Sequence, residues 1–226
     1  MSIDLTDRVL VLRSTPANRI SKNGFVWPKS GPVECPDWDP AEKCGNGLHG
    51  LLWGVGDAGL LCLSENAVFQ VVSVPTDSIV DLNSKVKFPK GEVIFSGDRF
   101  EAGSLISKHA PKGTRVTFGT ATAGYRGTAT AGHDGTATAG YRGTATAGDR
   151  GTATAGYRGT ATAGYRGTAT AGHDGTATAG NDGVLVIEFY DGTKYRKRCA
   201  EVDGKKIKAN IAYRLNDQGK FVEATK

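Results

Sequence analysis

Gly119-Thr120-Ala121-Thr122-Ala123-Gly124-Tyr125-Arg126 opens a run of eight consecutive octapeptides that ends at Asp182, each reading Gly-Thr-Ala-Thr-Ala-Gly followed by two variable residues. Thr-Ala-Thr-Ala has a period of two, so an extended strand sends both threonines to one face and both alanines to the other. The β-branched threonines favour that backbone, and the glycines flanking each variable pair predict turns. A single octet is too short to close around an interior. Two octets, one strand in each of two facing layers, make a 16-residue coil. The array then predicts four coils of a thin β-solenoid, about 19 Å long at ~4.8 Å per stacked strand.

A 16-residue repeat sorts the variable residues into columns. Tyr125, Tyr141, Tyr157 and His173 fall on one edge, and His133, Asp149, Tyr165 and Asn181 on the other. The first column predicts a tyrosine ladder, and an exposed ladder invites a second copy to pack on it, so a homodimer through Tyr125, Tyr141 and Tyr157 is an expected partner arrangement. Ordering each residue costs roughly 1–2 kcal/mol of backbone entropy and alanine buries little area, so the array needs strand hydrogen bonds, close alanine contact and capped ends. Thr114–Phe118 and Val184–Tyr190 read as capping strands. Exact octet spacing, without proline or serine in 64 positions, separates this array from a flexible linker.

The flanks read differently. In residues 1–118, Val9–Leu12, Val68–Val74, Ile79–Leu82 and Glu92–Phe95 read as strands and Pro28–Pro40 as loop. Asp98–His109 reads as a short helix capped by Asp98, with Phe100, Leu105 and Ile106 available for burial. After the array, Asp191-Gly192 and Asp203-Gly204 sit between alternating segments, a strong hairpin signal. The predicted strands there are Val184–Tyr190, Thr193–Val202, Ile207–Leu215 and Lys220–Glu223. The fold class is thus mainly β: a small α+β part (1–118), a Thr/Ala β-solenoid with two octapeptides per 16-residue coil (119–182), and a β-hairpin capping region (183–226).

Of the 226 residues, 32 are glycine, and half of these lie in the array. The net charge of +5 divides into 0, +1 and +4 over those three segments. A general nucleic-acid-coating domain is thereby excluded. The basic cluster Lys194, Arg196, Lys197, Arg198, Lys205, Lys206 and Lys208 reads as a solvated hairpin face, and no nucleic-acid partner is expected. No apolar run approaches the roughly 20 residues that span a bilayer, and the first residues lack a signal-peptide pattern, so no membrane partner is expected. Four scattered cysteines make no disulfide scaffold. They suggest a reducing, cytoplasmic setting, the host cytoplasm for a phage-encoded protein.

Two resemblances add to this. Cys44-Gly45-Asn46-Gly47-Leu48-His49-Gly50, the segment Lys85–Arg99, the octapeptides, and Tyr213-Arg214-Leu215 with Gly219-Lys220-Phe221-Val222 resemble a family of uncharacterised bacteriophage and metagenome proteins. The resemblance implies a phage origin and carries no activity. Ala123-Gly124-Tyr125-Arg126-Gly127-Thr128-Ala129-Thr130-Ala131 is similar to the repeats of ice nucleation proteins, whose units are twice the length of an octet. That likeness covers residues 119–182 only, with a shorter unit and far fewer repeats, which speaks against a large nucleator.

Candidate chemistry is sparse. Cys35, Cys44 and His49, with Cys62, are zinc-type ligands, but they lack a Cys-x2-Cys knuckle, and neither a metal nor a cofactor is expected. His49 reads as a residue of a Gly-Leu-His-Gly turn. Cys-Gly-x-Gly-Leu-His faintly resembles ADP-ribosyltransferase-like folds, which would give His49 a dinucleotide-holding role, with Arg13, Tyr213 and Glu188 as partners in type only. Gly54-Val55-Gly56-Asp57-Ala58-Gly59 matches Gly-x-Gly-x-x-Gly but follows no clear strand and precedes no good helix. The threonines are the better candidates: Thr120, Thr122, Thr136, Thr138, Thr152, Thr154, Thr168 and Thr170 predict two parallel files on one face, with the other eight opposite. The leading expectation is a non-enzymatic, phage-type structural or interaction protein presenting a rigid repetitive surface. The alternatives are an ice-binding or water-ordering protein using the Thr files, and an ADP-ribosyltransferase-like enzyme centred on His49.

Overall fold

The computed structural model describes residues 3–224, and the chain divides into two compact units between Pro111 and Lys112. The first unit holds β1 (Arg8–Thr15), β2 (Gly31–Glu34), β3 (Leu48–Leu52), β4 (Val68–Pro75), β5 (Val80–Asp81), β6 (Val86–Phe88), β7 (Lys90–Gly97) and α1 (Arg99–His109). The strands form one antiparallel sheet in the order β2-β7-β4-β1-β3-β6-β5. Leu10 and Leu12 alternate with Val11, and all three are fully buried, so β1 is covered on both faces. Val11, Trp27, Val72, Val74 and Phe88 share one apolar cluster. The helix packs on β1, β4 and β7 with Ala102 and Ile106 inward.

Asp98 caps α1 by accepting hydrogen bonds from the amides of Phe100 (2.7 Å) and Glu101 (3.2 Å), as the sequence predicts. Phe100 departs from expectation: it is 53% exposed, because it falls in the first turn on the side away from the sheet, whereas Ile106 is buried. The segment expected as loop, Pro28–Pro40, contains β2. The supposed turn around His49 is strand β3, paired with both β1 and β6.

In the second unit the octets give β8 (Thr120–Ala123), β9 (Thr128–Thr130), β10 (Thr136–Ala139), β11 (Thr144–Thr146), β12 (Thr152–Ala155), β13 (Thr160–Ala163), β14 (Thr168–Ala171) and β15 (Thr176–Ala179). They are followed by β16 (Val184–Tyr190), β17 (Tyr195–Glu201), β18 (Tyr213–Leu215) and β19 (Phe221–Glu223). Odd and even octets separate into two sheets, β17-β16-β14-β12-β10-β8 and β19-β18-β15-β13-β11-β9. Every repeat strand pairs in parallel with the strand two octets away, Thr on Thr and Ala on Ala. The coil therefore comprises two octets, and the solenoid has about four turns.

The interior is alanine. From Ala129 to Ala179 every inward alanine is at most 3% exposed. Burial of methyl groups alone cannot stabilise such a rod, and the backbone supplies the rest. Each turn is closed by a bond such as Gly127 N–H to Gly124 carbonyl (3.1 Å), and the turns are bonded to one another, as in Arg126 N–H to the Tyr141 carbonyl (2.9 Å). Larger side chains then close the far end. Leu185 and Ile187 of β16 lie in register on Ala169 and Ala171 and are buried, each worth about 1.5–3 kcal/mol of transfer energy.

The glycines flank the turns as expected, and what they supply there is space. The residue with positive φ is the second variable one: Arg126, Asp134, Arg142, Arg150, Arg158, Arg166, Asp174 and Asp182 all lie at 50–58°. The repeat glycines are required by space. A Cβ on Gly159 would lie 2.8 Å from the Ala155 Cβ and 2.9 Å from the carbonyl oxygens of Gly143 and Gly156.

Two predicted capping elements also differ. Thr114–Phe118 is not a strand: it repeats a turn of the coil, Val116 accepting from Gly132 N–H (2.9 Å) and Phe118 donating to the His133 carbonyl (2.8 Å), with Phe118 itself at φ 57°. Val116 and Phe118 are buried, so the segment still closes its end. Only Tyr213–Leu215 of the predicted Ile207–Leu215 is strand, since the Tyr213 hydroxyl turns back to accept from Lys208 N–H (2.9 Å).

Asp203 accepts from the amides of Ile207, Lys205 and Lys206, and these bonds hold its carboxyl below the usual range; Asp191 is lowered too, chiefly by Thr193 and Arg196. A depressed folded pKa stabilises above the unfolded value and is lost as the carboxyl protonates. Protection from hydrogen exchange in the turns at Asp191 and Asp203, taken against the intrinsic rate at each pH, is expected to fall as pH drops below about 4, while the alanine-core strands keep theirs.

Candidate threonine lattice and tyrosine edge

Identical strands stacked in register turn a sequence motif into a lattice. On one face, Thr120, Thr136, Thr152 and Thr168 form one file and Thr122, Thr138, Thr154 and Thr170 a second. All eight expected residues are brought together. The files stand ~6.7 Å apart along a strand and repeat at ~4.8 Å between coils. Thr120, Thr122, Thr136, Thr138 and Thr152 are exposed, and the last three are half-buried. The opposite sheet repeats the pattern with Thr128, Thr144, Thr160 and Thr176 beside Thr130, Thr146, Thr162 and Thr178.

Several features make these faces suited to a regular ligand. β-Branched side chains have few rotamers, and their backbone groups are consumed by the strand ladder. No charged residue lies within the files; the arginines and aspartates are confined to the turns. The first face also extends further than the threonines, because Val184 and Val186 continue the two files in register. Valine keeps threonine's shape without its hydroxyl. Sequence reasoning read Val184–Tyr190 only as a cap, although the two-octet spacing already placed both valines.

On the adjoining edge, Tyr125 stacks on Tyr141 (5.5 Å between ring centroids, 14° between planes) and Tyr141 on Tyr157 (5.4 Å, 23°). His173 continues the column 5.6 Å from Tyr157. Tyr195 and then Tyr190 extend it, at 5.4 and 5.3 Å. Those two were missed because the register puts Phe189, which is buried, in the next position, and the Asp191-Gly192 turn brings Tyr195 back in its place. Arg126 and Arg142 lie beside their own tyrosine rings, and Arg158 is paired with Asp174 at 3.3 Å, which eases the like-charge column.

The other candidates are placed as follows. Cys35 Sγ donates to Asp37 (3.1 Å), and burial raises its thiol pKa. Cys44 Sγ accepts from Lys85 Nζ (3.0 Å), a bond that lowers the thiol. His49 is pushed down by burial, and its Nε2 is buried without a hydrogen-bond partner. Among the described residues no three His, Cys, Asp or Glu side chains converge on a metal position, so Cys35, Cys44 and His49 are not brought together as ligands. The Arg13 guanidinium is engaged elsewhere, bonded to Gln70 (2.8 Å) and stacked 3.3 Å from the Trp27 ring centroid. The glycine-rich run 54–59 does follow a strand, β3, but leads only into a three-residue helical turn at Ala58–Leu60, which offers no helix N-terminus for a pyrophosphate.

The repeat region is similar to curated ice nucleation proteins. The chain is 40% identical over 103 residues to one from Pseudomonas syringae, covering 45% of this chain and 9% of that protein. It is 36% identical over 109 residues to one from Xanthomonas campestris pv. translucens (47% and 7%) and 37% identical over 105 residues to ice nucleation protein InaU of Pantoea ananas (46% and 10%). The chain thus spans a tenth or less of the length of these relatives. No family profile matches it, and no solved structure matches it.

These relatives support the repeat resemblance and lend nothing to the bacteriophage one. They also overturn the cytoplasmic expectation, because ice nucleation proteins are surface proteins anchored at the bacterial outer membrane. That expectation rested on four unpaired cysteines, and scattered thiols that never meet fix no compartment.

Proposed function

We propose that the solenoid binds ice or orders water through its threonine files, without enzymatic chemistry. The observation that carries this reading is the register: eight hydroxyl-and-methyl groups on one face, at two uniform spacings, on a backbone with no freedom to rearrange. Water held along such a surface is positioned by fixed partners, so the ordering cost is met in folding rather than at binding. The repeat likeness to proteins named for ice nucleation supports the same ligand. Four coils give a template only about 19 Å long, which suits adsorption to an existing crystal better than formation of a new one. A rigid display surface is the coarser description of the same feature.

The substitutions Thr138→Lys and Thr154→Lys on the first face, combined with Thr146→Lys and Thr162→Lys on the second, are expected to abolish thermal hysteresis and ice shaping. Either pair alone lowers them. Thr138 is exposed and the other three are half-buried, but all four side chains point away from the alanine core, so melting temperature should shift little. Full activity in the folded fourfold variant would sink the reading.

A homodimer through the tyrosine edge is the second proposal, supported by the 65% exposure of Tyr125 at the start of the stacked column. Sedimentation at rising concentration should show a dimer that Tyr125→Ala and Tyr141→Ala convert to monomer. A monomer throughout contradicts it.

A further inference from the structure

Among the described strands β17 is the most exposed. It pairs only with β16, and all of its residues except Ala200 are exposed. Its register on β16 sets Arg198 opposite Ile187 and Arg196 opposite Phe189, so the side that continues the alanine core carries guanidinium groups. Lys197 projects from the other side. Lys194 precedes the strand, and Lys205 and Lys206 occupy the turn after it. Among the described residues no carboxylate forms an ion pair with Lys194, Lys197, Arg198, Lys205 or Lys206.

The neighbouring acids are mostly committed. Asp191 holds Arg196 and the amides of Thr193 and Lys194, and Asp203 holds three turn amides. Glu188, opposite Lys197, and Glu201 remain. Charged side chains also serve to blunt a sheet edge. Here five cations without an ion pair occupy β17, which by itself spans roughly 20 Å, and the turns at its two ends. They flank the strand on both sides, so the positive field surrounds a line rather than a plane. At one end of it Tyr190 and Tyr195 are 46% and 59% exposed, with the Tyr195 ring between those of His173 (5.4 Å) and Tyr190 (5.3 Å) and its remaining edge in solvent.

We infer that β17 and its two flanking turns form a docking edge for a single-stranded nucleic acid, gripped by its phosphates and steadied by base contact with Tyr195. A linear polymer matches a linear field, and exposed aromatic rings beside a basic track are the features that hold unpaired bases. The sequence alone reads these cations as a solvated face, because it does not show that they lack partners or that Tyr195 stands beside them. This inference does not depend on the threonine lattice.

The test is anisotropy of a labelled mixed-sequence DNA single strand titrated with the full chain over a salt series. Four to five phosphate contacts predict a slope of log K against log salt of roughly −3. Lys197→Glu, Lys205→Glu and Lys206→Glu together should lower affinity by about tenfold or more and flatten the slope, with unchanged circular dichroism. Tyr195→Ala should weaken binding about fivefold or more. The inference is overturned by no binding at low salt, by binding that survives the triple change, or by equal affinity for base-free polyphosphate, which would leave a bare charge surface.

Discussion

Gly159→Ala is expected to abolish the ordered solenoid. The added methyl would meet the Ala155 Cβ at 2.8 Å and two backbone carbonyl oxygens at 2.9 Å. None of these is the movable end of a side chain. The carbonyls of Gly143 and Gly156 are themselves hydrogen-bonded, to Thr160 N–H and Gly159 N–H, both at 2.9 Å, so moving them breaks the stacking of adjacent coils. Overpacking costs about 1–3 kcal/mol where a core can adjust, and here the cost should reach or exceed the upper figure. Repeat arrays are coupled mainly to their neighbours, so a fault in a middle coil disconnects the coils on either side. The expected result is loss of the cooperative melting transition of the second unit, with intact signal from the first. The control is Arg142→Gly: relief of a positive φ and the extra freedom of unfolded glycine roughly offset, so stability should change by less than about 1 kcal/mol. Equal stability of the two variants would show that the repeat glycines are not required by space.

Ala161→Leu is the second large effect. Ala161 is fully buried in a layer whose opposing surface is also alanine. A leucine there needs space that no rotamer change can create, because alanine has no rotamers. The two sheets must separate locally, which opens contacts in the coils above and below. A loss of about 3 kcal/mol or more is expected, measured as a fall in thermal or denaturant midpoint. Thr162→Val, one residue on and pointing outward, should stay within about 0.5 kcal/mol. The contrast between neighbours is the prediction. A leucine accommodated without loss would mean that the interior is not close-packed.

These two cases mark what the sequence makes legible. A strict octet period with Thr and Ala alternating leaves little choice of face or coil length, and the columns of stacked tyrosines follow from arithmetic. The role of glycine does not follow, because a turn glycine serves equally for positive φ or for close approach. Only the stacked coils show that Arg126 and its equivalents take the strained φ while the glycines make room. Thr114–Phe118 alternates like a strand yet lies one full coil before 130–134, where the chain is already turning, so it adopts that turn. β3 is hidden because glycine flanks its short run, and its burial comes from two distant strands.

The candidate site divides the same way. The threonine files are legible because the register is built into the repeat. Their extension by Val184 and Val186, and the continuation of the aromatic column by Tyr195, depend on how the last strands dock. Residue type alone groups the cysteines with His49, and type carries no distance. Cys44 sits against Lys85, Cys35 against Asp37, and His49 stands in a strand with its Nε2 enclosed.

The central claim is that the threonine lattice engages ice, and the most direct measurement is growth of a single ice crystal in the purified full chain just below its melting point. The account predicts a faceted crystal that stays unchanged over a measurable gap between melting and growth, and that rounds and grows freely in the fourfold Thr→Lys variant. A smooth disc growing at the melting point in the wild-type chain, at concentrations where circular dichroism shows the solenoid folded, would contradict it.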